Sequence, residues 1–287
     1  MRKDDGLERE TDRKTHDETD HEAVKKLPPG VALSWGLVKQ SRRGPKGELS
    51  IPQIVEAAIA IADKDGLSAV SMSRVAAALG FTAMSLYRYI SGKDELLLLM
   101  QDAVCDIPIP PEEETDADWR ASMREYVRAS IHIIRKHPWF VDIPISGVPI
   151  TPNNLRIVDW ALRLLRNFPL NDYEKMSIVL LVSSYARACG MIMRDMERAI
   201  RAGTSPGAFS GLEYTAALKQ LVTAERFPDL YPVVMSGAYT GENESDNTVG
   251  NDFDFGLERI LDGIEFYLAS KMRKDSDKNK QAPKAKT

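Results

Sequence analysis

Gly66, Gly80 and the pair Ser91-Gly92 divide residues 50–104 into four short segments, each with apolar side chains at helical spacing. Intervals of three and four residues are the period of a helix that packs on one face. The first segment begins at Ser50-Ile51-Pro52-Gln53, which has the form of a capping box with proline in the first turn. Three short helices separated by glycine turns, followed by a fourth helix, predict a helix-turn-helix fold.

The second and third segments divide their side chains between an interior and an outer face. Five apolar residues can pack inward: Val75, Ala76, Leu79, Leu86 and Ile90. The third helix, predicted from Thr82 to about Ile90, can enter a major groove by its N-terminal end. Arg88 can donate to guanine, and Ala83 and Met84 can contact a thymine methyl group. Side chains placed to bond phosphates are Ser71, Ser73, Tyr87, Tyr89 and Lys93. An ordinary helical hairpin with polar outer faces is the other interpretation.

The rest of the chain also shows helical spacing, and an alternating strand pattern is absent from the sequence. Helices are predicted over residues 118–137, 153–167, 171–201, 212–226 and 253–272, with a long loop between the last two. The predicted fold class is therefore all-α. The predicted organisation is a helix-turn-helix domain over residues 48–100 and a larger helical domain over residues 101–272.

The ends of the chain have a different composition. Residues 1–30 are charged and poor in large apolar side chains, so they are predicted to be disordered, as is the lysine-rich tail over residues 273–287. Residues 31–47 form a predicted extended basic arm. Its Arg42 and Arg43 are candidates for a minor-groove contact, with a solvated run of charge as the alternative.

The charge distribution fits a nucleic-acid-binding segment on an acidic body. Residues 31–100 carry 8 basic and 6 acidic side chains, whereas residues 101–270 carry 16 basic and 25 acidic ones. This asymmetry permits DNA binding by the first segment, although chance variation in surface charge gives a similar pattern.

Several classes of protein are excluded or disfavoured. The N-terminus lacks an apolar signal region, no uninterrupted apolar run approaches the length of a membrane helix, and two cysteines are too few for a disulfide framework. A cytoplasmic protein is expected. The sequence has no nucleophile elbow, phosphate loop or zinc-protease motif, and its four histidines leave little for acid–base chemistry. We therefore expect no enzyme activity, no cofactor and no metal site.

The stretch from Leu67 to Leu99 resembles the DNA-binding domain of the tetracycline-repressor (TetR) family. Its Val75-Ala76, Leu79-Gly80 and Leu86-Tyr87 pairs, together with Lys93, keep the family's spacing. A weaker resemblance to the last helix of the tetracycline-repressor type of C-terminal domain covers residues 253–264. The resemblance implies operator contacts from the second and third helices and a phosphate contact, as follows: Ser71, Ser73, Arg74, Thr82, Ala83, Met84, Ser85, Tyr87, Arg88, Tyr89 and Lys93.

The resemblance also implies a homodimeric repressor that binds a palindromic operator and releases it when a small molecule binds. The helices over residues 171–201 and 253–272 would form a four-helix bundle between subunits, with Leu261 among the interface residues. The tetracycline repressor binds its magnesium-bound drug with the help of helix histidines. The fourth helix of this chain has no matching histidine.

The middle of the chain supplies material for an effector pocket between the helices over residues 118–137, 153–167 and 171–201. Candidate contacts for a hydrophobic or aromatic molecule are Trp119, Tyr126, Trp139, Trp160, Tyr185 and Arg187. Each has a packing role as its alternative, and Arg187 could pair with a ligand anion or with an acidic neighbour. Two other functions stay open: a DNA-binding regulator without an effector, and a helical enzyme.

Overall fold

In the computed structural model, the chain is described over residues 26–37, 49–111, 118–145, 147–201, 212–239 and 252–281, and these residues form helices and no strand. The α-helices in chain order are α1 (Pro29–Ser34), α2 (Ile51–Asp65), α3 (Met72–Ala78), α4 (Ala83–Tyr87), α5 (Lys93–Val104), α6 (Trp119–Lys136), α7 (Pro152–Arg163), α8 (Asp172–Arg201), α9 (Leu212–Leu221), α10 (Leu230–Met235) and α11 (Asp252–Gln281). The predicted all-α class is confirmed. The chain divides into two compact units, the first made of residues 1–109 and 136–160 and the second of residues 110–135 and 161–287.

The first unit is built around α2 and α5. The capping box predicted at Ser50 is present, because Ser50 Oγ accepts from Gln53 N at 3.4 Å and Gln53 Oε1 accepts from Ser50 N at 2.9 Å. Helix α2 packs against α3 and α5, and α3 packs against α4. The core of this packing consists of fully buried apolar side chains: Ile54, Ala58, Val70, Val75, Leu86, Ile90, Leu96 and Met100.

Helix α1 lies where the sequence predicted the end of a disordered tail and the start of an extended arm. It begins at Pro29, whose fixed φ suits the first position of a helix. It packs on α5 and leaves Val31 only 1% exposed. Gly30 permits the approach, because a Cβ there would lie 2.9 Å from Glu95 Cγ. The prediction missed this helix because its stability comes from packing rather than from its own six residues.

Two carboxylates of the first unit, one on α2 and one on α5, hydrogen-bond to residues in the range 136–160. Asp63, on α2, accepts from Trp139 Nε1 at 2.6 Å and bonds His137 Nδ1 at 2.9 Å. Asp102, on α5, is buried and accepts from the backbone N of Asn153 at 2.8 Å, in the first turn of α7. These bonds satisfy polar groups that burial would otherwise leave unpaired.

The second unit is dominated by the long helices α6, α8 and α11. Helices α6 and α8 approach closely at Gly190, where an added Cβ would lie 2.6 Å from Ile134 Cδ1. Its core includes Met123, Val127, Val182 and Leu261. Helix α10 falls within the predicted loop, and the prediction is wrong there because Pro232 occupies the first turn, where proline is tolerated.

Helix α8 is unusually apolar for its length. Its segment Asp172–Ala199 spans 28 residues and contains an 18-residue window with a mean hydropathy of 1.6, so by length and composition it could cross a membrane. This is weak evidence, because a helix in a core or at a subunit interface has the same composition. The sequence prediction considered only uninterrupted apolar runs, and polar residues divide the apolar sequence of α8 into shorter pieces.

Candidate nucleic-acid interface

Helix α3 forms the first half of the helix-turn-helix. Ser71 caps its N-terminus, with Oγ accepting from the backbone N of Arg74 at 3.2 Å. The inward face carries Val75 and Ala76, which are 0% and 1% exposed. At the far end Gly80 turns the chain with a φ of +77°, a conformation in which side chains other than glycine are strained. The turn at Gly80 therefore sets the direction of α4 relative to α3.

One face of α4 packs into the core, and the opposite face is exposed to solvent. Leu86 is fully buried, as is Ile90 beyond the helix end, whereas Met84 is 74% exposed. The hydroxyl oxygens of Thr82 and Ser85 lie 3.1 Å apart at the N-terminal end of the helix. A rigid support with an exposed polar and apolar surface is the arrangement that a groove-reading helix requires.

All the operator contacts implied for the described part of the chain lie at exposed or partly exposed positions. The exposed ones are Ser71, Ser73, Arg74, Thr82, Met84, Tyr87, Arg88 and Lys93, and the partly exposed ones are Ala83, Ser85 and Tyr89. Arg42 and Arg43 lie outside the described residues. The exposed set combines hydroxyls, cations and one methionine, which can bond phosphates and contact base edges.

Arg74 has an ion-pair partner within the chain, and a side chain of α5 bonds the backbone just before Lys93. The Arg74 guanidinium is ion-paired with the Asp65 carboxylate at the end of α2. Next to Lys93, the first residue of α5, the backbone N of Ser91 donates to Glu95 Oε2 at 2.5 Å. The sequence pattern alone did not indicate either partner.

Four of the six predicted effector contacts lie in the second unit. Trp119 packs edge-on against Phe168, with ring centroids 6.0 Å apart. The Tyr126 and Ser183 hydroxyl oxygens are 2.8 Å apart, which joins α6 to α8. Tyr185 Oη donates to the backbone O of Phe253 at 2.6 Å, and burial raises the pKa of this phenol to about 12. Arg187 is partly exposed one helical turn beyond Ser183.

The other two predicted contacts, Trp139 and Trp160, lie in the first unit and are buried. Trp139 is held by Asp63 of α2. The structure therefore groups Trp119, Tyr126, Tyr185 and Arg187 in one unit and these two tryptophans in the other.

An ion-pair ladder between α6 and α11 is a feature that the sequence analysis missed. Arg120 donates to Glu258 and Asp262 at 2.7 Å each, and Arg124 Nε donates to Glu258 at 2.5 Å. Hydrogen bonds from Arg124 and then Arg120 lower the pKa of Glu258 to about 2, and the bonds to Asp262 and Glu258 raise the pKa of Arg120. The signal was present as arginines four residues apart at 120, 124 and 128, facing acids four apart at 254, 258 and 262.

A depression of about 720 Å³ runs along the outer side of α6. Its lining residues are Ala121, Arg124, Glu125, Arg128, Ala129 and His132. None of the predicted effector contacts lines it. Within the described ranges, no group of three or more His, Cys, Asp or Glu side chains is arranged to hold a metal ion.

Comparison with known proteins assigns both parts of the chain. The family described as "Bacterial regulatory proteins, tetR family" matches residues 54–100, and "Tetracyclin repressor-like, C-terminal domain" matches residues 110–268. The HTH-type transcriptional repressor DrrR1 of Streptomyces coeruleorubidus is 36% identical over 247 residues, which are 84% of this chain and 86% of that protein.

Solved structures give the same assignment. ActR, a TetR family protein of Streptomyces coelicolor, was crystallised with actinorhodin, and that structure is 28% identical with a TM-score of 0.62, covering 76% of this chain and 95% of ActR. The complex of ActR with (S)-DNPA is 27% identical with a TM-score of 0.57, covering 75% of this chain and 96% of ActR. With its helix-turn-helix and its matched C-terminal domain, the chain belongs to the TetR family of DNA-binding transcriptional repressors, a family of regulators rather than enzymes.

Proposed function

We propose that this repressor acts in the cytoplasm as a homodimer, binds a palindromic operator and releases it when a hydrophobic small molecule binds. The observation that carries the DNA-binding part is α4, whose Leu86 is buried while Met84, Tyr87 and Arg88 face outward. In this proposal residues 48–100 read DNA, and residues 101–272 serve dimerisation and effector binding.

Exposed apolar side chains on α8 and α11 support the dimer. Leu180 on α8 is 67% exposed and Phe266 on α11 is 76% exposed, and both helices are 30 residues long. A large apolar patch open to solvent is typical of a protein–protein interface. Leu261, which the sequence analysis placed at the interface, is instead fully buried within the single chain, so Leu180 and Phe266 are the better candidates.

Dimerisation explains why the operator should be palindromic. Two identical recognition helices related by a two-fold axis read the same half-site in opposite directions, with centres roughly 34–36 Å apart for one turn of B-DNA. An effector can release the operator only through different affinities for the DNA-competent state and for another state.

The effector part of the proposal rests on the second unit and on relatives. The Tyr126–Ser183 contact places two hydroxyls between α6 and α8 beside the buried apolar residues Met123 and Val127, a combination that suits an apolar molecule with a few polar groups. The structures of ActR with actinorhodin and with (S)-DNPA show that a related chain of the same fold binds small molecules.

Selection from a pool of random duplexes tests the DNA part. We expect enrichment of a palindrome with half-sites about one helical turn apart, bound by two copies of the chain. Enrichment of a single, non-repeated site or binding as a monomer would overturn the proposal.

A thermal-shift screen tests the effector part, with actinorhodin and a set of apolar aromatic compounds as probes. A ligand that raises the melting temperature and dissociates the operator complex supports the proposal. A screen without such a ligand favours the alternative, a regulator whose C-terminal domain serves only dimerisation or protein partners.

A further inference from the structure

An acidic residue sits at the end of α2, where an acid is unfavourable. Asp65 is the last residue of the helix, close to the negative end of its dipole. Its carboxylate is ion-paired with Arg74 in the first turn of α3, and about half of the Arg74 side chain is exposed. The pair therefore joins the helix before the helix-turn-helix to the helix that begins it.

The ion pair with Asp65 weakens the contact that Arg74 can make with a DNA phosphate. An arginine that neutralises a phosphate releases cations condensed on the DNA, and a guanidinium whose charge is already balanced by a carboxylate neutralises less of the phosphate charge and releases fewer of them. A phosphate must then replace the carboxylate or approach beside it, where the two anions repel each other. Both effects weaken the contact without regard to base sequence.

We propose that Asp65 competes with DNA phosphates for Arg74 and thereby limits the sequence-independent affinity of the repressor. The inference rests on the proposed operator contacts. An exposed ion pair of this kind is worth 0.2–1 kcal/mol in other proteins, which corresponds to a change of up to about five-fold in affinity. Because phosphates are common to all DNA, the change applies equally to operator and non-operator duplexes.

The test measures binding of a 30-base-pair duplex of random sequence by fluorescence anisotropy between 50 and 200 mM KCl, so that no operator is needed. Asp65→Asn is expected to raise affinity about two- to five-fold at low salt and to steepen the slope of log K against log salt by up to about 0.9. Arg74→Gln is expected to have a small effect alone and a larger effect in the Asp65→Asn background.

A matched control separates local competition from net charge. Glu56→Gln removes the same charge from an exposed position on the same helix, and its effect should be equal with and without Arg74. The inference is overturned if Asp65→Asn raises affinity equally in the Arg74→Gln background. It is also overturned if Asp65→Asn weakens binding, which would make Asp65 a support that orients Arg74 toward DNA. If the unmodified chain does not bind the duplex even at 50 mM KCl, DNA binding fails and the inference with it.

Discussion

The helix-turn-helix consists of short helices supported from within the chain, whereas α8 and α11 of the second unit are long and leave apolar surface uncovered. Helices α3 and α4 have seven and five residues, too few for stability alone, and each packs inward through a fully buried side chain, Val75 on α3 and Leu86 on α4. Helices α8 and α11 have 30 residues each and expose side chains such as Leu180 and Phe266. The helix-turn-helix completes its core within one chain, whereas α8 and α11 leave apolar side chains that, in our proposal, a second copy of the chain covers.

The largest expected effect tests this contrast within α11 itself. Leu261→Asp should destabilise the subunit by several kcal/mol, because it places an unpaired charge in the core. Phe266→Asp should leave the helical content intact and shift the sedimentation coefficient to that of a monomer. Circular dichroism melting and analytical ultracentrifugation measure the two outcomes. Loss of folding in both variants would mean that Phe266 belongs to the core as well.

A smaller effect is expected at the recognition helix. Arg88→Ala should cost about 1–3 kcal/mol on the selected operator and relax base preference, whereas Lys93→Ala should weaken binding to all sequences similarly. Titrations of the operator and of a point-mutated operator compare the two variants. Equal losses on both duplexes for Arg88→Ala would remove it from base readout.

The crossing of α6 and α8 should respond to one added methyl group. Gly190→Ala is expected to cost about 1–3 kcal/mol of unfolding free energy, because its Cβ would press on Ile134. Ile134→Val in the same chain should recover part of that loss, which thermal melting can measure. Gly263→Ala is the matched control, since its added Cβ would meet no heavy atom within 4 Å apart from its chain neighbours and its own helix backbone.

The smallest expected effect concerns the ion-pair ladder and its dependence on pH. The pKa of Glu258 is about 2 in the folded chain and near 4.5 when unpaired, so its contribution to stability is present above pH 4.5 and is lost as the pH falls toward 2. Glu258→Gln should make the melting temperature depend less steeply on pH in that window. Glu225→Gln, at an exposed position, should leave the slope unchanged.

Local signals allowed the helices over residues 50–104 to be predicted. The caps at Ser50 and Ser71 and the turn at Gly80 depend on neighbours within a few residues, so the sequence displays them. The third helix was predicted to about Ile90 but ends at Tyr87, because residues beyond it continue as a turn that still buries Ile90.

Distant partners could not be predicted in the same way. Trp139 was a candidate effector contact because it is a large aromatic residue in the middle of the chain. Only the structure shows its bond to Asp63, 76 residues earlier. The Asp65 partner of Arg74 and the fit of Gly190 against Ile134 depend likewise on how helices cross. Such contacts are set by tertiary packing, which a single sequence does not display.

The four tryptophans are divided unevenly between the two units, so their fluorescence and NMR signals report on the units separately. Of its four tryptophans, Trp35, Trp139 and Trp160 lie in the first unit and Trp119 alone lies in the second. Trp35 and Trp139 donate to different acceptors, the backbone O of Ile150 at 2.8 Å and Asp63 at 2.6 Å, so their indole N–H resonances should be distinct in an NMR spectrum. Trp119 is therefore the indole within the second unit that a compound bound there can contact and quench. Movement of the other indole resonances on adding that compound would report, without any DNA present, that binding has changed the environment of tryptophans in the first unit.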